Sequence, residues 1–137
     1  MKFVEFDVKP DGHCGIRAFY LSLTHNLKWQ HKNLFEIMRV RDYLATRGFK
    51  KIKTHPVLKF NTSLQKIFKN LKNSNTWLTT EALYALAIKH KVNIKMIYVE
   101  NNKIIHDEAG IQLDSNYPCI YMANYNNVHY TSLIPLK

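Results

Sequence analysis

A turn that carries one cysteine and runs straight into an amphipathic helix constrains this chain more than any other feature. The stretch is Asp11-Gly12-His13-Cys14-Gly15-Ile16-Arg17-Ala18-Phe19. Ile16, Phe19, Tyr20 and Leu23 recur at i, i+3, i+4 and i+7, the spacing of one buried helix face. That places Cys14 at or just before a helix N-terminus. The unpaired N–H groups and the positive dipole end there favour thiolate over thiol, and the same N–H groups can receive an oxyanion. Far along the chain, Asn127-Val128-His129-Tyr130-Thr131-Ser132-Leu133 reads as a strand carrying a histidine. A cysteine at a helix start and a distant strand histidine are the parts of a thiol protease.

Composition narrows the rest. A chain of 137 residues is read as one domain over 1–137, burying about two-thirds of its unfolded surface. An apolar content of 46% excludes a disordered chain. No apolar run approaches the roughly 18 residues of a membrane span. The acid-containing start, Met1 to Asp7, is no secretory signal. Two cysteines cannot build a disulfide framework, so a reducing, cytoplasmic compartment fits. Cys119 reads as an ordinary strand cysteine. No metal-ligand spacing occurs and no cofactor is called for; the seven histidines are scattered.

The net charge of +10 raises a nucleic-acid reading. No acid occurs between Asp42 and Glu81, while lysines are frequent there. Yet lysine outnumbers arginine 16 to 4 and asparagine occurs 13 times. That bias suggests an AT-rich coding sequence rather than selection for phosphate-gripping forks, where arginine is favoured. Lys66, Lys69 and Lys72 lie opposite Leu64, Ile67, Phe68 and Leu71 on a helical wheel, as on a solvated face. Nucleic acid is therefore not the expected partner.

The pattern of elements is helices first, strands last. Phe3 to Val8 alternates as a strand, with Asp7 facing away from Val4, Phe6 and Val8. After the turn at Pro10, a helix runs from about Cys14 to His25. Asn33-x-x-Glu36 caps a second helix ending near Gly48, and Lys50 to Phe60 reads as a loop. Thr62-x-x-Gln65 caps a third helix to about Leu71, and Thr79 or Thr80 starts a fourth ending near His90. Val92–Val99 and Lys103–His106 are strands around an Asn101-Asn102 turn; Pro118–Asn124 and Val128–Ile134 are strands around Asn126-Asn127. This is an α+β domain, with helices of the first two-thirds packed on a small, mainly antiparallel sheet.

Three blocks, Asp11-Gly12-His13-Cys14, the helix-leading Trp77-Leu78-Thr79-Thr80-Glu81-Ala82-Leu83-Tyr84-Ala85-Leu86-Ala87, and His129-Tyr130, resemble the ovarian-tumour (OTU) family of cysteine deubiquitinases. That family carries Asp-Gly-Asn-Cys at the helix start, a tryptophan-led helix and a late His-Tyr pair. It usually has glycine where this chain has Leu78, and asparagine where it has His13. The resemblance implies a papain-like OTU fold, Cys14 as nucleophile and His129 as base. It implies backbone N–H groups of Asp11 and Cys14 as the oxyanion hole, with the Asp11 carboxylate bracing the turn. Trp77 would be half core and half wall of a channel for a Gly-Gly tail, and Gly15 would leave room beside the thiol for a substrate backbone. His13 would border the entrance of the site without a catalytic role.

The residue that orients His129 is open. Many family members have an acid or amide two residues after the histidine, where this chain has Thr131. Some viral members use one on the strand before the cysteine, where Asp7 stands. An asparagine of the 124–127 loop is the third candidate. Asp7 would accept the Nδ1–H of His129, leaving Nε2 for Cys14. The expected function is hydrolysis after ubiquitin or ubiquitin-like C-termini by a monomer, in the host cytoplasm if viral, with viral polyprotein cleavage an added possibility. The alternative is a catalytically silent ubiquitin- or RNA-binding module on the same fold.

Overall fold

Among the described residues five strands form one sheet in the order β1-β5-β4-β2-β3, with helices packed against it. The computed structural model of the chain describes residues 2–58 and 61–136, the side chains of 106–109 excepted. The expected start Met1, Lys59 and the Phe60 end of the expected loop lie outside those residues. The strands are β1 (Phe3–Phe6), β2 (Asn93–Glu100), β3 (Lys103–Ile111), β4 (Cys119–Tyr125) and β5 (His129–Pro135). The helices are α1 (Cys14–Thr24), α2 (Leu34–Tyr43), α3 (Phe49–Lys53), α4 (Ser63–Asn70) and α5 (Thr80–His90). Pairing is antiparallel except between β2 and β4, which run parallel. Asn101 and Asn102, then Asn126 and Asn127, close the two hairpins. All four have positive φ, between 51° and 64°, as tight hairpin turns that match the strand twist require; the first loop is two residues long, and Val128 adds a third to the second.

Three local expectations are corrected. Gly48 does not end the second helix: α2 passes through a π-helical segment, Leu44–Gly48, directly into α3. The glycine is there for packing, because a Cβ on it would lie 2.5 Å from Cδ1 of the buried Phe68 ring on α4. Lys50–Lys53 is accordingly helix rather than loop. Thr62 makes no side-chain cap to α4; Asn61 Oδ1 accepts the Ser63 N–H instead. The Asn33 cap is present, its side chain accepting the Glu36 N–H at 3.1 Å.

One pin sets where Cys14 lies relative to β5. On α1, Ser22 donates to the Tyr121 carbonyl of β4 at 2.8 Å and shares a 2.6 Å hydrogen bond with Ser132 of β5. Cys14 lies eight residues before Ser22, about 12 Å along the helix. Val128 lies four residues before Ser132, about 13 Å along the strand direction. Helix and strand therefore run together from the pin, and the N-terminus of α1 arrives beside the start of β5.

Candidate active site

The turn that carries Cys14 is built by its own polar atoms. The Cys14 N–H reaches the Asp11 carbonyl at 3.2 Å, and His13, at φ −108° and ψ 10°, has the third-residue conformation of a type I turn. Asp11 Oδ1 accepts the His13 N–H at 3.0 Å, an Asx-type brace. The same carboxylate takes Nε and Nη2 of Arg17, at 3.3 and 3.0 Å. Arg17 is buried on α1 and also donates to the Lys32 carbonyl at 2.6 Å. Asp11 starts with its pKa raised by burial; the Arg17 and His13 hydrogen bonds and the Arg17 charge outweigh this and hold it below the usual carboxylate range.

Cys14 is buried, only 1% exposed, and its sulfur hydrogen-bonds the Val128 carbonyl at 3.7 Å. It therefore lies against the residues flanking His129, while its own hydrogen bond goes to Val128 rather than to the ring. Burial pushes its pKa up; the N–H groups of Tyr130, Gly15 and Cys14 itself oppose this without overcoming it, and the Asp11 carboxylate adds to the rise. The dipole expectation of a thiolate is thus reversed in this state, because desolvation of a buried sulfur outweighs three N–H contacts. Cys14 and Cys119 are both free cysteines.

The structure brings Asp7 onto His129, through the other nitrogen from the one expected. Asp7 Oδ1 lies 2.6 Å from His129 Nε2. The same Oδ1 accepts the Val8 N–H at 2.8 Å, and Gln30 Nε2 holds the Asp7 carbonyl at 2.6 Å. Burial, the largest single influence, raises the Asp7 pKa, but the hydrogen bonds from His129 and Val8 and the electrostatics of His129 together leave it below the ordinary value. Register explains the contact. With Phe6 opposite Ser132, Asp7 and His129 are diagonal neighbours across the antiparallel pair, within side-chain reach.

Thr131 is not on the ring. Its Oγ1 donates to Glu5 Oε2 at 2.6 Å, and Tyr125 OH donates to the same oxygen at 2.6 Å. Glu5 reaches Thr131 by the same diagonal that carries Asp7 to His129. Asn126 serves the Asn101 N–H instead, and the buried Asn124 Oδ1 has no hydrogen-bond partner among the described residues. Glu5, Asp7, Tyr125, His129 and Thr131 together line a cleft of about 320 Å³.

Several expectations change here. The Asp11 N–H is engaged by the Lys9 carbonyl at 2.8 Å, a tight turn across Pro10, and the Cys14 N–H by Asp11. Neither oxyanion donor is free in this state. Gly15 does not open a path to substrate: a Cβ there would lie 3.1 Å from Leu78 Cδ2 and 3.4 Å from Tyr130 Cδ2. The missing side chain makes room for Leu78, which is buried where the OTU pattern has glycine. Trp77 is 52% exposed, and Leu78 occupies the core beside it. His13 is buried rather than bordering an entrance, and accepts Arg41 Nε at 2.9 Å. Among the described residues no cluster of three or more His, Cys, Asp or Glu could hold a metal ion, and no helix is long and apolar enough to cross a membrane.

Arg17 and Arg41 were missed by the sequence reading. The signal was present: in a chain so biased to lysine, the four arginines mark places where a planar fork is needed, and these two are the buried ones.

No family model and no curated protein matches the sequence. Solved structures do match its fold. The OTU domain of OTUD1 aligns at 16% identity and TM-score 0.65, over 97% of this chain and 86% of that one. The Hazara virus OTU, bound to ubiquitin, aligns at 14% and 0.67, over 98% and 82%. An OTU deubiquitinase from Wolbachia pipientis wMel, also bound to ubiquitin, aligns at 14% and 0.60, over 96% and 95%. The chain has the mixed α+β fold of the OTU domains.

Proposed function

We propose that this chain is a cysteine protease that cleaves the isopeptide or peptide bond after the C-terminus of ubiquitin or a ubiquitin-like modifier. The observation that carries the reading is a buried helix-start cysteine whose sulfur hydrogen-bonds the carbonyl of Val128, the residue before a strand histidine that Asp7 holds. Asp7 keeps the proton on Nε2, so Nδ1 offers its lone pair toward the cysteine side. Rotation about the Cys14 Cα–Cβ bond takes the S–H from the Val128 carbonyl to that lone pair. The proton passes to Nδ1 and the thiolate attacks the carbonyl carbon. Release of the Asp11 and Cys14 N–H groups from Lys9 and Asp11 lets them receive the oxyanion. His129 then protonates the leaving amine, giving a thioester. Water, deprotonated by His129, frees the acid and restores the thiol.

Ubiquitin as partner is supported by the two neighbours solved in complex with it. Exposed Trp77 is a candidate wall for the tail of the modifier. Action as a monomer in a reducing, cytoplasmic setting belongs to the same proposal, as does polyprotein cleavage if the chain is viral. The second reading, a silent ubiquitin-binding module, is favoured by one observation: the Asp11 and Cys14 N–H groups that would receive an oxyanion are both engaged by backbone carbonyls.

The test is hydrolysis of a ubiquitin C-terminal fluorogenic amide by the wild type, Cys14→Ala and Cys119→Ala. Turnover lost only in Cys14→Ala supports the protease. Ubiquitin binding without turnover in the wild type supports the silent module.

A further inference from the structure

Arg41, on α2, is fully buried, and a guanidinium so placed is ordinarily matched by a carboxylate. Among the described residues none of its hydrogen bonds goes to one. Its Nε donates to His13 Nδ1 at 2.9 Å. Nη1 donates to the Leu71 and Asn73 carbonyls at 3.1 and 3.2 Å. Nη2 donates to the Gly12 and Thr76 carbonyls at 2.8 and 2.6 Å. The five N–H donors of the fork therefore meet five acceptors, split between two loops. Gly12 and His13 stand immediately before Cys14, and Thr76 stands immediately before Trp77.

We propose that Arg41 is a positioning residue that locks the Cys14 turn to the loop carrying Trp77, with the neutral His13 imidazole as the acceptor that completes the lock. The inference deepens the protease reading and rests on it for its kinetic part. The geometry sets which atom is vulnerable. Four acceptors are backbone carbonyls and do not titrate. The fifth is an imidazole nitrogen that accepts only while unprotonated. Adding a proton turns it into a donor facing a second cation, and Arg41 Nε is left buried and unpaired.

The charged groups around His13 come from every side. Asp11 takes its backbone N–H, Arg17 stands behind Asp11 on α1, Lys9 heads the turn and Arg41 faces it from α2. The Cys14 thiol follows it in the chain. Burial, then the Arg41 charge, hold the imidazole below its usual range, with Asp11 acting against them. The lock is therefore complete at neutral pH and opens on acidification.

The test compares the wild type with His13→Ala and His13→Asn. Asparagine places an amide oxygen where Nδ1 stands, and that oxygen does not titrate. Amide hydrogen exchange is followed over residues 12–15 and 74–78, corrected for intrinsic rates, from pH 7.5 to 5.5. Hydrolysis of the ubiquitin amide is followed in parallel. His13→Ala should speed exchange in both segments together, by about tenfold, and lower kcat about tenfold or more with KM nearly unchanged. His13→Asn should recover both and lose the acceleration of exchange that the wild type shows toward pH 5.5. Faster exchange confined to residues 12–15, or an asparagine variant behaving like alanine, would overturn the lock. If His13→Ala does not fold, the pH dependence of exchange in the wild type against His13→Asn decides alone, a shared profile refuting it. If the wild type does not hydrolyse ubiquitin, the protease reading falls while the exchange comparison still decides the lock.

Discussion

Asp7→Ala should lower kcat/KM by about tenfold, and by no more than roughly 10²-fold. The bond it removes is short, 2.6 Å, and joins a carboxylate to an imidazole. A hydrogen bond to a charged group contributes about 1.5–3 kcal/mol. The Asp7 side chain, however, is 76% exposed and the His129 side chain 22%. Solvent screening therefore puts the contribution toward the lower end of that range. At about 1.4 kcal/mol per factor of ten, the loss falls near tenfold, far short of the roughly 10⁴ for a fully buried triad aspartate. Asp7→Asn separates geometry from charge. The amide oxygen can still take both the Val8 N–H and the His129 Nε2–H, so the tautomer is kept and only the charge is lost. That variant should lose a few-fold at most. Thr131→Ala removes a bond to Glu5, not to the ring, and should stay within about twofold of wild type. The assay is release of a fluorophore from the ubiquitin C-terminus under kcat/KM conditions. An Asp7→Ala enzyme within twofold of wild type, or a Thr131→Ala enzyme as impaired as Asp7→Ala, would refute the assignment.

Three further outcomes follow from the packing and charge. Gly48→Ala should lower the urea midpoint, because a Cβ placed 2.5 Å from the Phe68 ring costs about 1–3 kcal/mol of overpacking against about 1 kcal/mol gained in helix propensity; a raised midpoint contradicts this. Stability should fall as pH drops from 7.5 to 5.5. His13 and His90 are held below the usual range by burial first, and next by the charges of Arg41 and Lys89. The unfolded chain thus binds protons near about 6.5 before the folded one does, and stability present above that pH is lost below it; a flat urea midpoint across the window contradicts this. Binding to single- or double-stranded RNA should be weak and steeply salt-dependent. Submicromolar affinity at physiological salt, with a slope implying several phosphate contacts, would promote the binding-module reading.

Local rules read much of this fold correctly and failed where distant residues decide. The start of α1 at Cys14, the Asn33 cap and both Asn-Asn turns rest on chemistry within a few residues, so they were legible. Gly48 was not: its role is set by Phe68, twenty residues on, and in isolation glycine signals a helix end. The parallel pairing of β2 with β4 is likewise a long-range choice that alternation alone does not encode. At the site, residue types and spacing pointed to Cys14 and His129, and the OTU resemblance offered Asp7 as one of three candidates to orient the ring. They could not tell which ring nitrogen Asp7 meets, since that depends on the β1–β5 register. They also could not show that Glu5 takes Thr131 out of contention, or that Pro10 holds Lys9 against the Asp11 N–H. Gly15 and Leu78 are legible only as a pair, each explaining why the other departs from expectation.

The central claim is that Cys14 is a nucleophile presented to the carbonyl end of a ubiquitin-type tail. Ubiquitin bearing a C-terminal electrophile tests it most directly, with the site of attachment mapped by peptide mass spectrometry. The account predicts a one-to-one covalent adduct on Cys14, formed equally by Cys119→Ala and absent from a folded Cys14→Ala variant. An adduct on Cys119, or no adduct from folded protein that still binds ubiquitin, would contradict it.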